Sequence, residues 1–360
     1  MTKRIFQGFL LLAIAIFLSG CTRAPGQPKA VSDGGVYKSK DASGTWVQSV
    51  DVLAVKGQIL RFPNENVNAV VFDPQDHNAV YAGTDTSGLL YSYDGGTSWT
   101  QDKFHKEKGI FSIAIDYYSK CHWTVSSSTR VYRTIDCGRG WKEVLTESRE
   151  GYRLIKVLAD HFNRSTIFVA NSKEILKSTD YGDNWQTVQR FKETVTDITM
   201  DRFDSRIIFV TLNNGNLSKT VDGGATWVDV SAPIKEFKKT GDASKIVQDL
   251  SKRETYVLVN DYGLFRTIDS GKSWAPLTLL TPPNSVDIRS VAIDPKNGDV
   301  IYYATETTFY KSIDAGQTWK TSRLPTSRKP NTMTVDFVDS NVIYIGTRVI
   351  PKDNANQLMR

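Results

Sequence analysis

The sequence predicts an all-β chain: a single seven-bladed β-propeller of four-stranded blades, closed by pairing N- and C-terminal strands in one blade. Three observations carry this expectation. A turn signature recurs about every 45 residues, short apolar strands surround each copy, and each end of the chain holds half a blade.

The signature is Ser/Thr-x-Asp-x-Gly-x-x-Trp. Six stretches fit it: SYDGGTSW at 92–99, TIDCGRGW at 134–141, STDYGDNW at 178–185, TVDGGATW at 220–227, TIDSGKSW at 267–274 and SIDAGQTW at 312–319. A seventh, SKDASGTW at 39–46, has Ser43 where the others have glycine but keeps the Asp-to-Trp spacing. The steps between successive tryptophans (Trp46, Trp99, Trp141, Trp185, Trp227, Trp274 and Trp319) are 53, 42, 44, 42, 47 and 45 residues. A period of this length with one turn motif per repeat marks propeller blades.

Before each signature lies a strand such as GLLYS, RVYRT or GLFRT, and further upstream lie two more, as in VNAVVFD with AVYAGT and IRSVAID with VIYYAT. These runs are rich in Val, Ile, Tyr and Thr and bounded by turn residues. With the strand after the tryptophan they make four. The stretch NTMTVDFVDSNVIYIGT at 331–347 supplies a first and second strand without a signature, while GGVYKSKDASGTW at 34–46 supplies a third strand and a signature with nothing before them. Joined, they complete the seventh blade and remove free sheet edges.

Each part of the signature has a mechanical task. Glycine accepts the positive φ that a tight reversal needs, the aspartate accepts hydrogen bonds from turn amides with Ser or Thr as a local partner, and the tryptophan packs an apolar face on neighbouring strands. A ligand site seldom recurs once per blade. Asp41, Asp94, Asp136, Asp180, Asp222, Asp269 and Asp314, with the seven tryptophans, are therefore expected to hold shape. The motif resembles the Asp-box of sialidases, sortilin-like receptors, xyloglucanases and photosystem II assembly factors, in which the box lies away from the active site.

Residues 1–20 read as an export signal: basic Lys3 and Arg4, an apolar run from Ile5 to Leu18, then Leu-Ser-Gly before Cys21. Leu18–Cys21 resembles the lipobox of bacterial lipoproteins, which implies a diacylglyceryl group on Cys21 and a membrane anchor facing the periplasm or cell exterior. Residues 21–35 read as the lipidated cysteine and a flexible Pro/Gly-containing tether, residues 36–350 as the propeller and 351–360 as a tail. Without Lys3 and Arg4 the chain has 43 basic and 39 acidic residues, a net charge of +4, too mild to imply nucleic acid. Cys121 and Cys137 fall at the same end of one blade. They are a disulfide candidate in an exported chain, two free thiols being the alternative; a metal site would need more ligands than the nearby His122.

The face opposite the boxes collects the loops between second and third strands and those between blades. It reads as basic: QDKFHKEKG at 101–109, TESREGYR at 146–153, QRFKE at 189–193, PIKEFKKTGD at 233–242 and TSRKP at 326–330. Inner strands add Lys156, Asp197 and Arg289. Candidate partner-binding residues are Lys156, Asp197, Lys235, Lys238, Lys239, Arg289, Arg328 and Lys329; interleaved glutamates are the argument for plain solvated loops. Lys38, Arg133, Lys177, Lys219, Arg266 and Lys311, three residues before a box aspartate, read as blade-surface residues without a site. His77, His105, His122 and His161 read as surface or turn residues.

No catalytic constellation, cofactor motif or metal-ligand spacing appears. Sialidase resemblance would require an Arg-Ile-Pro type strand, from which LRFPN at 60–64 departs; xyloglucanases use two propellers around a cleft. Photosystem II assembly factors resemble this chain in fold, blade count and lipid anchor, which implies a scaffold role and a protein partner. The expected function is a monomeric, anchored, non-catalytic module that binds a protein or glycan. The alternative is a sialidase- or xyloglucanase-like glycoside hydrolase with its site opposite the boxes.

Overall fold

The computed structural model describes residues 33–53, 59–237 and 243–349. Cys21 and residues 1–20, read above as an export signal, lie outside the described residues, as do Lys238, Lys239 and residues 351–360. The described strands form seven four-stranded antiparallel sheets and one two-stranded hairpin. Blade 1 begins with Val67–Asp73, blade 2 with Ser112–Ile115, blade 3 with Leu154–Ala159, blade 4 with Val195–Met200, blade 5 with Ala243–Gln248 and blade 6 with Ser290–Asp294. Blade 7 combines Lys329–Val335 and Ile343–Arg348 with the N-terminal Val36–Ser39 and Val47–Ser49. Val36 pairs with Gly346 and Ser39 with Ile343, so the two ends close the ring. The hairpin Asp51–Leu53 and Ile59–Arg61 lies between blades 7 and 1 and accounts for the long step from Trp46 to Trp99.

Apolar packing lies between blades. Seven buried clusters form, one at each blade junction. Trp99, fully buried, joins Val36, Val50 and Tyr344 of blade 7 to Val67 and Val80 of blade 1. Three of the box tryptophans also donate their indole N–H to backbone carbonyls behind them. Trp99 donates to the Ser49 carbonyl at 3.1 Å, Trp185 to Val144 at 2.8 Å and Trp319 to Thr278 at 2.8 Å, each acceptor belonging to the preceding blade or its exit.

All seven boxes share one geometry. The Ser/Thr hydroxyl donates to the aspartate at 2.7–2.8 Å and accepts the amide two residues beyond the aspartate at 2.7–3.0 Å. The aspartate accepts the amide just before the tryptophan at 2.8–2.9 Å. Two successive residues after it take φ of 55–68° and 74–92°; the second is the box glycine, or Ser43 in the imperfect copy. The first donates its amide to the turn between strands one and two of its own blade at 2.8–3.2 Å in every blade. In blade 2 this residue is Cys137, whose acceptor is the Cys121 carbonyl, and a disulfide joins the two side chains with Cα atoms 4.0 Å apart.

The basic residues three before the box aspartate differ from expectation, because they join blades. Lys38, Arg133, Lys177 and Lys219 donate across the junction to the box carbonyls of Gly95, Tyr181, Gly223 and Ser270 at 2.5–2.8 Å. Arg266 lies 3.8 Å from Asp299 of the next blade. Lys219 is itself buried, which pushes its pKa down. A box turn leaves its carbonyls without a ladder partner, and a long cationic side chain from the preceding blade satisfies one of them.

Candidate functional site at the mouth of the channel

The seven inner strands surround a channel, a cavity of about 910 Å³. Each strand ends in a buried aspartate: Asp73, Asp116, Asp160, Asp201, Asp249, Asp294 and Asp336. Each accepts the amide two residues later, at 2.6–2.9 Å. These buried acids are turn caps, a second repeated element that the sequence reading missed although its spacing was visible. Five inner strands also carry a register shift at their start, on the box-free side. Such a bulge re-aims the following side chain.

Counting back four residues from each strand-ending aspartate gives Ala69, Ser112, Lys156, Asp197, Lys245, Ser290 and Thr332 around the box-free mouth. Blades 3, 4 and 5 thus bring a Lys-Asp-Lys row together. Lys156 donates to Asp197 at 2.8 Å, and the other Asp197 oxygen accepts the Ile246 amide at 3.4 Å. Lys245 lines the channel beside them without an ion pair among the described residues. Burial pushes its pKa down, and the neighbouring Lys156 adds to this while Asp197 opposes it.

Beside the channel, a smaller cavity of about 240 Å³ opens at the mouth between blades 5, 6 and 7. Its charged lining is cationic: Lys245, Arg289, Lys329 and Arg348. Compensating acids stand around it. Glu306 pairs with Lys329 and, at 3.2 Å, with Arg289; Asp287 pairs with Arg289; Asp85 lies 3.8 Å from Arg348. Hydrogen bonding and charge from Lys329, then Arg289, hold the Glu306 carboxyl below its ordinary range.

The other candidates separate from this cluster. Arg328 donates to the Asn64 carbonyl at 2.8 Å and lies 3.6 Å from Asp33, fastening the first described residues to the loop between blades 6 and 7. Lys235 sits on a 3-10 turn, 3.6 Å from Asp229. In the loop at 146–153, Arg149 grips Glu147 and Glu174, each at 2.7 Å, and its hydrogen bond holds Glu174 down to about 2. Sequence reading missed Lys245 and Arg348. Lys245 stands four residues before Asp249 as Lys156 does before Asp160, so aligning the inner strands on their aspartates finds it. Of the histidines read as surface or turn residues, His105 and His161 lie in bends between strands but are buried, and His105 meets Asp102 at 2.9 Å. Among the described residues no three His, Cys, Asp or Glu side chains gather to hold a metal ion, and no helix is long and apolar enough to cross a membrane.

Residues 190–322 match the family model described as photosynthesis system II assembly factor YCF48. The chain is a seven-bladed propeller of BNR type and resembles that factor. Among solved structures it is similar to YCF48 bound to D1 peptide, with a TM-score of 0.60 at 13% identity over 79% of this chain and 94% of that one. YCF48 from Cyanidioschyzon merolae gives 0.61 at 14% identity over 79% and 95%. The GH74 xyloglucanase from Xanthomonas campestris gives 0.63 at 15% identity over 79% of this chain and 51% of that one, so the chain spans about half its length. At these identities the likeness is one of fold. No curated protein matches the sequence.

Proposed function

We propose that the chain is an exported, lipid-anchored scaffold that binds a protein partner at the box-free mouth of its channel, as an assembly factor does. The cationic cavity between blades 5, 6 and 7 carries this reading. A concave, one-signed lining focuses field and attracts an acidic partner. The D1 peptide bound by a propeller of the same fold supports a protein segment as ligand. Glycoside hydrolysis needs two carboxylates flanking the scissile bond, whereas Asp197 is the one carboxylate among the described residues that line the channel, and it is tied to Lys156.

Photocrosslinking from membranes tests the reading. A crosslinker at exposed Thr307, on the mouth side, should capture a protein partner in a salt-sensitive way, while one at Val221 on the box face should not. Capture from Val221 alone would overturn the assignment of faces. Xyloglucan hydrolysis by purified protein, lost in Asp197→Asn, would replace the scaffold reading with the glycosidase one.

A further inference from the structure

The small cavity at the mouth has features beyond its charge. Ser290, 1% exposed, lines it with a hydroxyl that has no hydrogen-bond partner among the described residues, and the buried Arg289 Nε is likewise unpartnered among them. Lys245 has no ion pair among the described residues. A buried donor without a partner costs about 1–3 kcal/mol, so the Ser290 hydroxyl and the Arg289 Nε, with the Lys245 ammonium in the same lining, mark a place where an acceptor belongs. Asn331, also in the lining, donates to the Val67 carbonyl at 2.9 Å, which holds the rim.

Size and charge narrow the acceptor. At about 240 Å³ the cavity is smaller than the roughly 300–1,000 Å³ of sites that engulf a whole small molecule. It suits one end of a longer ligand whose remainder runs along the open mouth or into the channel. Around the row and cavity, five cations (Lys156, Lys245, Arg289, Lys329 and Arg348) face four carboxylates (Asp197, Asp287, Glu306 and Asp85). With Lys245 protonated, the form that an anion beside it favours, the surplus is one positive charge. A carboxylate matches it, whereas a phosphate monoester at about −1.5 to −2 exceeds it.

We propose that this cavity is a subsite for the terminal carboxylate of an extended ligand, recognised by Lys245, Arg289 and Ser290 with Arg348 at the rim. It rests on the binding reading above and specifies what part of the partner is held there. The guanidinium and ammonium donate to the carboxylate oxygens, and the Ser290 hydroxyl gains the acceptor it lacks.

The test uses the full chain in detergent, titrated calorimetrically with N-acetyl-trialanine as free acid and as amide at matched ionic strength. The free acid should bind at least about tenfold more tightly than the amide, as charge-assisted hydrogen bonds require, and acetate should displace it better than inorganic phosphate. Lys245→Met and Arg348→Met should each abolish that preference. Arg348 is half-exposed and loosely paired, so its variant keeps the test open if the first fails to fold. Equal binding of acid and amide, tighter binding of phosphate, or an unchanged preference in both variants would overturn the subsite. Crosslinking at Thr307 that survives such a result would leave the binding reading intact, while a preserved carboxylate preference without crosslinking would overturn that reading and keep the subsite.

Discussion

On the box face, seven turns set the same atoms at the same distances; at the mouth, the seven equivalent positions hold Ala69, Ser112, Lys156, Asp197, Lys245, Ser290 and Thr332. The contrast separates two kinds of polar residue. Box carboxylates have their acceptors filled by amides and hydroxyls of their own turn, and strand-ending aspartates are buried turn caps. Mouth cations share fewer acids than they need, and among the described residues Arg289 Nε and the Ser290 hydroxyl have no hydrogen-bond partner. Where geometry repeats, the side chain serves the turn; where it varies around the ring, the side chain is available to a ligand.

The sharpest way to break this division is a pair of substitutions. Trp99→Ala, at the fully buried junction of blades 7 and 1, should lower stability by about 3–5 kcal/mol. Lys329→Met loses only a partly exposed pair with Glu306 and should cost under about 1 kcal/mol. Equilibrium urea denaturation reads both, and comparable losses would erase the distinction between structural and available positions.

Acid sharpens it further. Hydrogen bonds from Thr45, Asn184 and Thr318 lower the Asp41, Asp180 and Asp314 carboxyls from 3.8 to about 2. A carboxylate whose folded pKa lies below its unfolded value contributes stability that is complete above the unfolded value and disappears as pH falls through the folded one. The melting temperature, measured at constant ionic strength, should therefore fall between about pH 4 and pH 2, and the fall should shrink when box aspartates are replaced by asparagine. An undiminished fall in those variants would take the acid sensitivity away from the box face.

The smallest expected effect concerns the imperfect box. Ser43 adopts φ of 86° where six boxes place glycine. Ser43→Gly should raise stability by about 0.5–1 kcal/mol, since a side chain in the left-handed region costs roughly 1–2 kcal/mol and the added chain entropy of glycine offsets part of the gain. No gain in thermal midpoint would mean that the first box is held differently from the rest.

Much of the architecture was legible in advance because it repeats. The period of the boxes, the strands before them and the half-blades at the ends led to seven blades and to the ring closure seen between Val36 and Gly346. The hydroxyl or amide just before the tryptophan (Thr45, Ser98, Asn184, Thr226, Ser273 and Thr318) was equally visible but went unread; it donates to the box aspartate in six of seven copies. Less of the mouth was legible. Lys156, Asp197, Arg289 and Lys329 do reach the mouth, whereas Arg328 fastens the N-terminal segment and Lys235 stays with Asp229.

The sequence by itself determined the blade count, the closure and the structural role of the boxes, because local turn chemistry is written in short range and copied seven times. Tertiary structure alone decided the rest: that Lys38, Arg133, Lys177 and Lys219 bind the next blade's carbonyls, and that Lys245, Arg289 and Arg348 line one cavity. Those residues are far apart in the chain and meet only when the ring closes. Their distances depend on bulges and blade packing, which no local pattern encodes.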